Sequence, residues 1–175
     1  MAVAPMFNGD ALVAELDARR TALGLGWPAL AEELTLQSGE LREALNDHAV
    51  CPGALVRTVR RGTMSCQYAL MLLQWLGRAP EDFLIGQRRE VGHTRLPAIG
   101  RDVRLRWDLP QLYAAVNDQR RERELTWSAL AVQFGCTPSR LTNLRTARLA
   151  DMDLTVRLTQ WLGRPAADFV HPATW

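Results

Sequence analysis

Cysteine is scarce and badly spaced for chemistry. Cys51, Cys66 and Cys136 form no CxxC pair, so neither a thiolate metal centre nor a disulfide framework is expected, and all three read as buried free thiols in helical contexts. His48, His93 and His171 are scattered, which gives no zinc constellation. No run of about 18 apolar residues is present, and the N-terminus lacks a basic segment followed by an apolar one, so no membrane span or leader is expected and a cytoplasmic protein is. There is no glycine-rich phosphate loop after a strand, no HExxH, no GxSxG and no acid pair that suggests a cleft. The expectation is therefore a non-enzyme that uses no cofactor and no metal. Lysine is missing altogether: all 21 basic residues are arginine, and the formal net charge is only +2, which excludes a basic tail binder. Arginine suits bidentate phosphate and guanine contacts, but an all-arginine composition is also what codon bias in a GC-rich genome produces.

What the chain does have is an internal duplication. Gln74-Trp75-Leu76-Gly77-Arg78-Ala79-Pro80-Glu81-Asp82-Phe83 returns at Gln160 to Phe169, identical at seven of ten positions. Leu25-Gly26-Trp27-Pro28-Ala29-Leu30-Ala31 returns at Leu125 to Ala131, identical at five of seven. Two matching blocks in one order mean a repeated structural unit of about 75 to 90 residues. The 175 residues then divide into a first unit over 1–85, a linker over 86–106 and a second unit over 107–175. Each is small for an independent core, and Trp residues inside the matching blocks supply large buried areas. Residues 1–88 carry 8 Arg against 10 acids, whereas residues 89–175 carry 13 against 9.

Strand signals are nearly absent, and apolar residues recur at helical spacing: Leu12, Leu16, Leu23; Leu112, Val116; Leu154, Leu158, Trp161, Leu162. The fold class is therefore all-α. Asp10 and Asp108 are candidate N-caps, and Gly77 and Gly163 candidate helix stops. The segment from Gly86 to Arg106 is polar and broken; about 20 extended residues reach ~60–70 Å, so the linker leaves the facing of the two units open.

In the second unit Thr126 is positioned to cap a helix from Trp127 to Phe134, and Gly135 to supply a left-handed turn. Thr137 then caps a third helix through Arg145, with Pro138 at its first position. Leu130, Ala131, Phe134, Leu141 and Leu144 point to the core; Ser139, Arg140, Thr142, Asn143 and Arg145 point outward. This segment, Leu130 to Thr142, resembles the phage-repressor-like (XRE/Cro type) helix-turn-helix DNA-binding domains, over about residues 108–170. The resemblance implies two tandem lambda-repressor-like bundles of about five helices each, with the third helix of the second unit in the major groove. It directs Ser139, Arg140 and Asn143 toward base edges, and Thr126, Ser128, Thr142, Arg145 and Arg148 toward phosphates, with Thr137 at the helix start. One departure is Ala147, where such domains often carry Gly.

The first unit has drifted. In one register Ser38–Leu45 is the third helix, with Glu40, Glu43 and Asp47 on a face that phosphates would repel. In the other, which keeps Pro-x-x-Leu and the Trp-Leu-Gly spacing, Cys51-Pro52-Gly53-Ala54-Leu55 matches Thr137 to Leu141. The helix then presents Arg57, Arg60 and Arg61, and an extra helix is inserted at about 35–48. We adopt the second register. Trp27, Trp127, Trp75 and Trp161 read as core. Arg19-Arg20 and Arg120 to Arg123 read as solvated helix faces, Arg101, Arg104 and Arg106 as a solvated linker, and Glu81-Asp82, Asp151 and Asp153 as helix-start acids.

The reading is a sequence-specific double-stranded DNA-binding transcriptional regulator whose two units act as a covalent pseudo-dimer. The alternative is a protein-interaction adaptor on a repressor-like scaffold, or DNA binding by the second unit with the first left for homodimerisation or a protein partner.

Overall fold

The computed structural model describes residues 5–36, 57, 64–100 and 103–172. In chain order these hold β1 (Met6–Phe7), α1 (Gly9–Ala22), α2 (Trp27–Leu36), α3 (Cys66–Leu76), β2 (Leu84–Ile85), β3 (Leu105–Trp107), α4 (Leu109–Glu122), α5 (Trp127–Phe134), α6 (Pro138–Thr142), α7 (Met152–Leu162) and β4 (Val170–Pro172). Short 3-10 turns lie at Pro80–Phe83, Asn143–Arg145 and Ala166–Phe169.

The chain is mostly helical, but the expectation of an all-α fold needs correcting. β1 pairs antiparallel with β2, and β3 with β4, so a two-stranded sheet ties the two ends of each repeat together. Strands this short carry little periodic signal. Only Leu105-Arg106-Trp107, buried, half-buried, buried, shows the alternation of a strand. Two residues at the end of the expected linker, Leu105 and Arg106, therefore belong to a strand.

The helix starts follow local chemistry. Asp108 Oδ1 accepts from the Gln111 N–H at 2.8 Å, as expected, but in the first repeat the cap is Asn8, whose Oδ1 accepts from the Ala11 N–H at 3.0 Å. Asp10 lies inside the first turn, where its charge still favours the positive helix end. Gly77 and Gly163 end α3 and α7 at φ +66° and +69°, as their positions in the repeat require. From α1 the buried residues are Leu12, Val13 and Leu16; from α4 they are Leu109, Leu112 and Val116.

The core is not divided between two units. Buried residues of both repeats form one continuous cluster, in which α3 packs on α7 and on β3, and α7 packs on β1. The two repeats meet about an approximate two-fold axis. Aligning Gln74 with Gln160 makes Ser65 equivalent to Asp151, and these two form an isolated antiparallel bridge. The Cys66 N–H donates to the Ala150 carbonyl at 2.7 Å, and the equivalent Met152 N–H donates to the Met64 carbonyl at 2.9 Å. Further out the exchange repeats through side chains. Gln67 Nε2 donates to the Leu105 carbonyl at 2.7 Å, and Gln67 Oε1 accepts from the Trp107 N–H at 3.4 Å. The equivalent Asp153 accepts from the Phe7 N–H at 2.8 Å. Each repeat thus completes the backbone of the other's first strand.

The segment between repeats is held as well. Gln74 bonds the Val103 carbonyl at 3.1 Å and the Leu105 N–H at 3.3 Å, and Gln160 Oε1 accepts from the Arg89 N–H at 2.8 Å. Arg104 is buried and Arg106 half-buried, so neither is a solvated linker residue or a free basic arm; Arg101 lies outside the described residues. Among the described residues no helix is long and apolar enough to cross a membrane.

Glu81 crosses the same contact. Its Oε1 accepts from the Ala166 N–H at 2.6 Å, while Oε2 is buried without a partner. Burial raises its pKa above the ordinary carboxylate value against the Ala166 hydrogen bond, and Asp82 and Asp168 add to the rise. It is thus more than the helix-start acid that local sequence suggests.

Two outcomes are expected. Gln67→Leu leaves the Leu105 carbonyl and Trp107 N–H without their side-chain partner in a buried contact, and should lower the unfolding free energy by about 1–3 kcal/mol in urea titrations. Glu81 has a folded pKa above its unfolded value of about 4.3. Its stabilising contribution is therefore full below that value and is lost as pH rises through the raised one. Stability curves of the parent and Glu81→Gln should accordingly diverge as pH increases from 4 toward neutrality, the variant falling less; parallel curves would remove the role.

Candidate functional site

The exposed turn between α5 and α6 collects the residues singled out in the second repeat. Thr126 caps α5, its Oγ1 accepting from the Ala129 N–H at 3.1 Å. Gly135 ends the helix in the left-handed region at φ +59°, with the Gly135 N–H donating to the Val132 carbonyl and the Cys136 N–H to Ala131. Leu130, Ala131, Phe134, Leu141 and Leu144 are buried, as their spacing requires for two helices packed across such a turn. Cys136 is half-buried in the turn itself rather than in a helix, whereas Cys66 is buried at the start of α3, where burial raises its thiol pKa. Cys51 lies outside the described residues.

The third helix is shorter than the sequence pattern implies. α6 stops at Thr142, and Asn143–Arg145 continues as a 3-10 turn. Thr137 occupies the N-cap position in extended backbone, but its hydroxyl makes no cap bond; it lies 3.1 Å from the Ser139 hydroxyl. Pro138 at the first position has no N–H to be capped, which lessens the demand on Thr137.

Ser128, Thr137, Ser139, Arg140, Asn143, Arg145 and Arg148 are exposed, and Thr142 is half-buried with its hydroxyl directed to the Ser139 carbonyl at 3.5 Å. Between Glu124 and Asp151 there is no carboxylate. Arg140, Arg145 and Arg148 have no ion pair and no aromatic contact among the described residues, so this surface carries three uncompensated guanidinium groups beside hydroxyls and an amide. Such a set offers forked donors and short polar groups to an anionic or polar partner.

Other arginines of the chain are spent on packing. Arg20 lies 4.2 Å from the Trp27 ring centre and donates to the Leu25 carbonyl at 2.9 Å; the equivalent Arg120 lies 4.7 Å from Trp127 and donates to the Leu125 carbonyl at 2.6 Å. These two are therefore clamps on the α1–α2 and α4–α5 corners, not solvated side chains. Trp127 also stacks on Tyr113, with centroids 5.3 Å apart, so both a guanidinium and a ring pack on it. Arg78 and Arg164 cover Phe83 and Phe169 and pair with Asp82 and Asp168, which accounts for the repeated Gly-Arg and Asp-Phe.

The first repeat does not present a matching surface among the described residues. α2 runs on to Leu36, past the position equivalent to Gly135, which is Thr35 here. Arg57 is helical and exposed. Arg60, Arg61 and all but the first two residues of the insertion at 35–48 lie outside the described residues, as does the third helix in the first register and, apart from Arg57, in the second. Among the described residues no group of three His, Cys, Asp or Glu side chains is placed to hold a metal ion.

Nothing lies within 4 Å of a Cβ built on Gly135, so Gly135→Ala meets only the backbone cost of a left-handed residue. A loss of about 1 kcal/mol in thermal or urea unfolding is expected, with the exposed side chains of α6 left in place. Comparison with protein-family models, with curated proteins and with solved structures gives no match.

Proposed function

We propose that this chain is a cytoplasmic, sequence-specific double-stranded DNA-binding regulator, built from two repressor-like helix-turn-helix units of about five helices each that act as a covalent pseudo-dimer. The observation that carries the reading is the exposure of Ser139, Arg140, Asn143, Arg145 and Arg148, after the turn at Gly135, in a stretch of chain without a carboxylate. A duplex supplies what such a surface lacks: phosphates for Arg145, Arg148, Thr126 and Ser128, and base edges for a guanidinium and an amide on one short helix. Packing supports it too. The arginines that fasten the fold are separate from those on this surface, so the latter have no structural task competing with recognition. The approximate two-fold relation of the repeats favours two half-sites about one helical turn apart, ~34 Å or a multiple of it. Because the repeats differ in sequence, the preferred duplex is asymmetric.

A second reading, an adaptor that binds protein, is favoured by Val132 and Leu149, which are 80% and 61% exposed near the same surface. Large apolar side chains left in water commonly mark contact sites. Salt separates the two readings: duplex affinity falls steeply with ionic strength, whereas an apolar contact does not.

In titrations of duplexes selected from a random pool, Arg140→Ala should lose about 1–3 kcal/mol at a single base position. Arg148→Ala should weaken all sequences alike and reduce the salt slope by about one. A chain that binds no duplex at low salt removes the reading.

A further inference from the structure

We infer that the hollow between the two repeats, beneath the end of α5, is a binding site for a small planar anion, an aromatic or heteroaromatic carboxylate. The cavity is about 180 Å³ and is walled by α5, α7, Pro5 ahead of β1 and the segment following β2. Gln160 of α7 is on its wall, only 2% exposed. The Oε1 of Gln160 accepts from the Arg89 N–H at 2.8 Å, which fixes the amide orientation, and the Nε2 is left buried with no acceptor. A buried donor without a partner costs free energy, and Gln160 stands on the cavity wall with that cost unrelieved.

Charge gives the sign of the occupant. Arg89 and Arg157 reach the same hollow, and no carboxylate lines it. Arg157 is partly compensated by Asp153 at 3.5 Å, but Arg89 is exposed and its guanidinium bonds only the Trp161 carbonyl, at 3.3 Å. Shape gives the body. Phe134 and Trp161 meet edge to face with centroids 6.4 Å apart and form the apolar wall. A cavity of about 150 Å³ holds a benzene ring, so this one takes a single ring and its carboxylate but not a nucleotide.

Phe134 is the last residue of α5, directly before Gly135. An occupant thus touches the helix end from which the exposed turn springs, where an effector would act. That regulatory consequence rests on the nucleic-acid reading; occupancy of the cavity does not.

The test is isothermal titration of the whole chain with benzoate and with benzamide, its neutral isostere. Saturable one-to-one binding of benzoate, about tenfold or more tighter than benzamide, is expected. Arg89→Ala and Gln160→Leu should each weaken benzoate by about tenfold, with circular dichroism reporting whether the leucine variant is folded. If it is not, Arg89→Ala, at an exposed side chain, decides alone. Absence of saturable benzoate binding, equal binding of the two compounds, or unchanged affinity in the folded variants would overturn the proposal. No DNA is present in the titration, so its failure and the failure of the nucleic-acid reading are distinguishable.

Discussion

The structure depends on an exchange of hydrogen bonds between equivalent positions of the two repeats. At the axis, Cys66 and Met152 each donate a backbone N–H to the opposite strand segment, and on either side Gln67 and Asp153 reach across to the first strand of the other repeat. A two-residue strand such as β1 cannot satisfy its own backbone, because its single partner β2 leaves the other edge bare. Buried backbone N–H and C=O groups must be paired. The opposite repeat is what pairs them here, so the two halves share one core instead of enclosing two small ones.

The same economy governs arginine. With no lysine in the chain, every cation has a planar head able to lie over a ring, and Arg20, Arg120, Arg78 and Arg164 all do so against an aromatic of their own repeat. The guanidinium is weakly hydrated, which makes this half-buried placement tolerable where an ammonium would resist it. Among the described residues no ring and no carboxylate holds Arg140, Arg145 and Arg148, and the same is true of Arg88, Arg95 and Arg121. A protein that spends cations on packing and still leaves three exposed within one acid-free stretch of chain has a segment suited to an anionic partner.

Much of the local structure is legible in the residues themselves. The caps at Thr126 and Asp108, the left-handed stops at Gly77, Gly135 and Gly163, and the buried set of α5 and α6 all follow from short-range spacing. Local rules failed where the deciding partner is distant in the chain. Asp153 reads as an ordinary helix-start acid, yet it bonds Phe7, 146 residues away. Glu81 reads the same way and is buried against Ala166. Arg20 and Arg120 were missed for a nearer reason: the Trp sits seven residues on, beyond a helix corner, where helical spacing gives no guide. The paired repetition of Arg and Trp was the available signal.

The near-symmetry has a further meaning for how the two halves change over time. In an association of identical subunits any mutation is imposed on both sides of the axis at once, and a change useful on one side must be harmless on the other. Here Gln67 is equivalent to Asp153, Cys66 to Met152 and Ser65 to Asp151, each pair already unlike. Joining both copies in one polypeptide frees each side to drift alone, so a two-fold-related framework can carry two faces that no longer match.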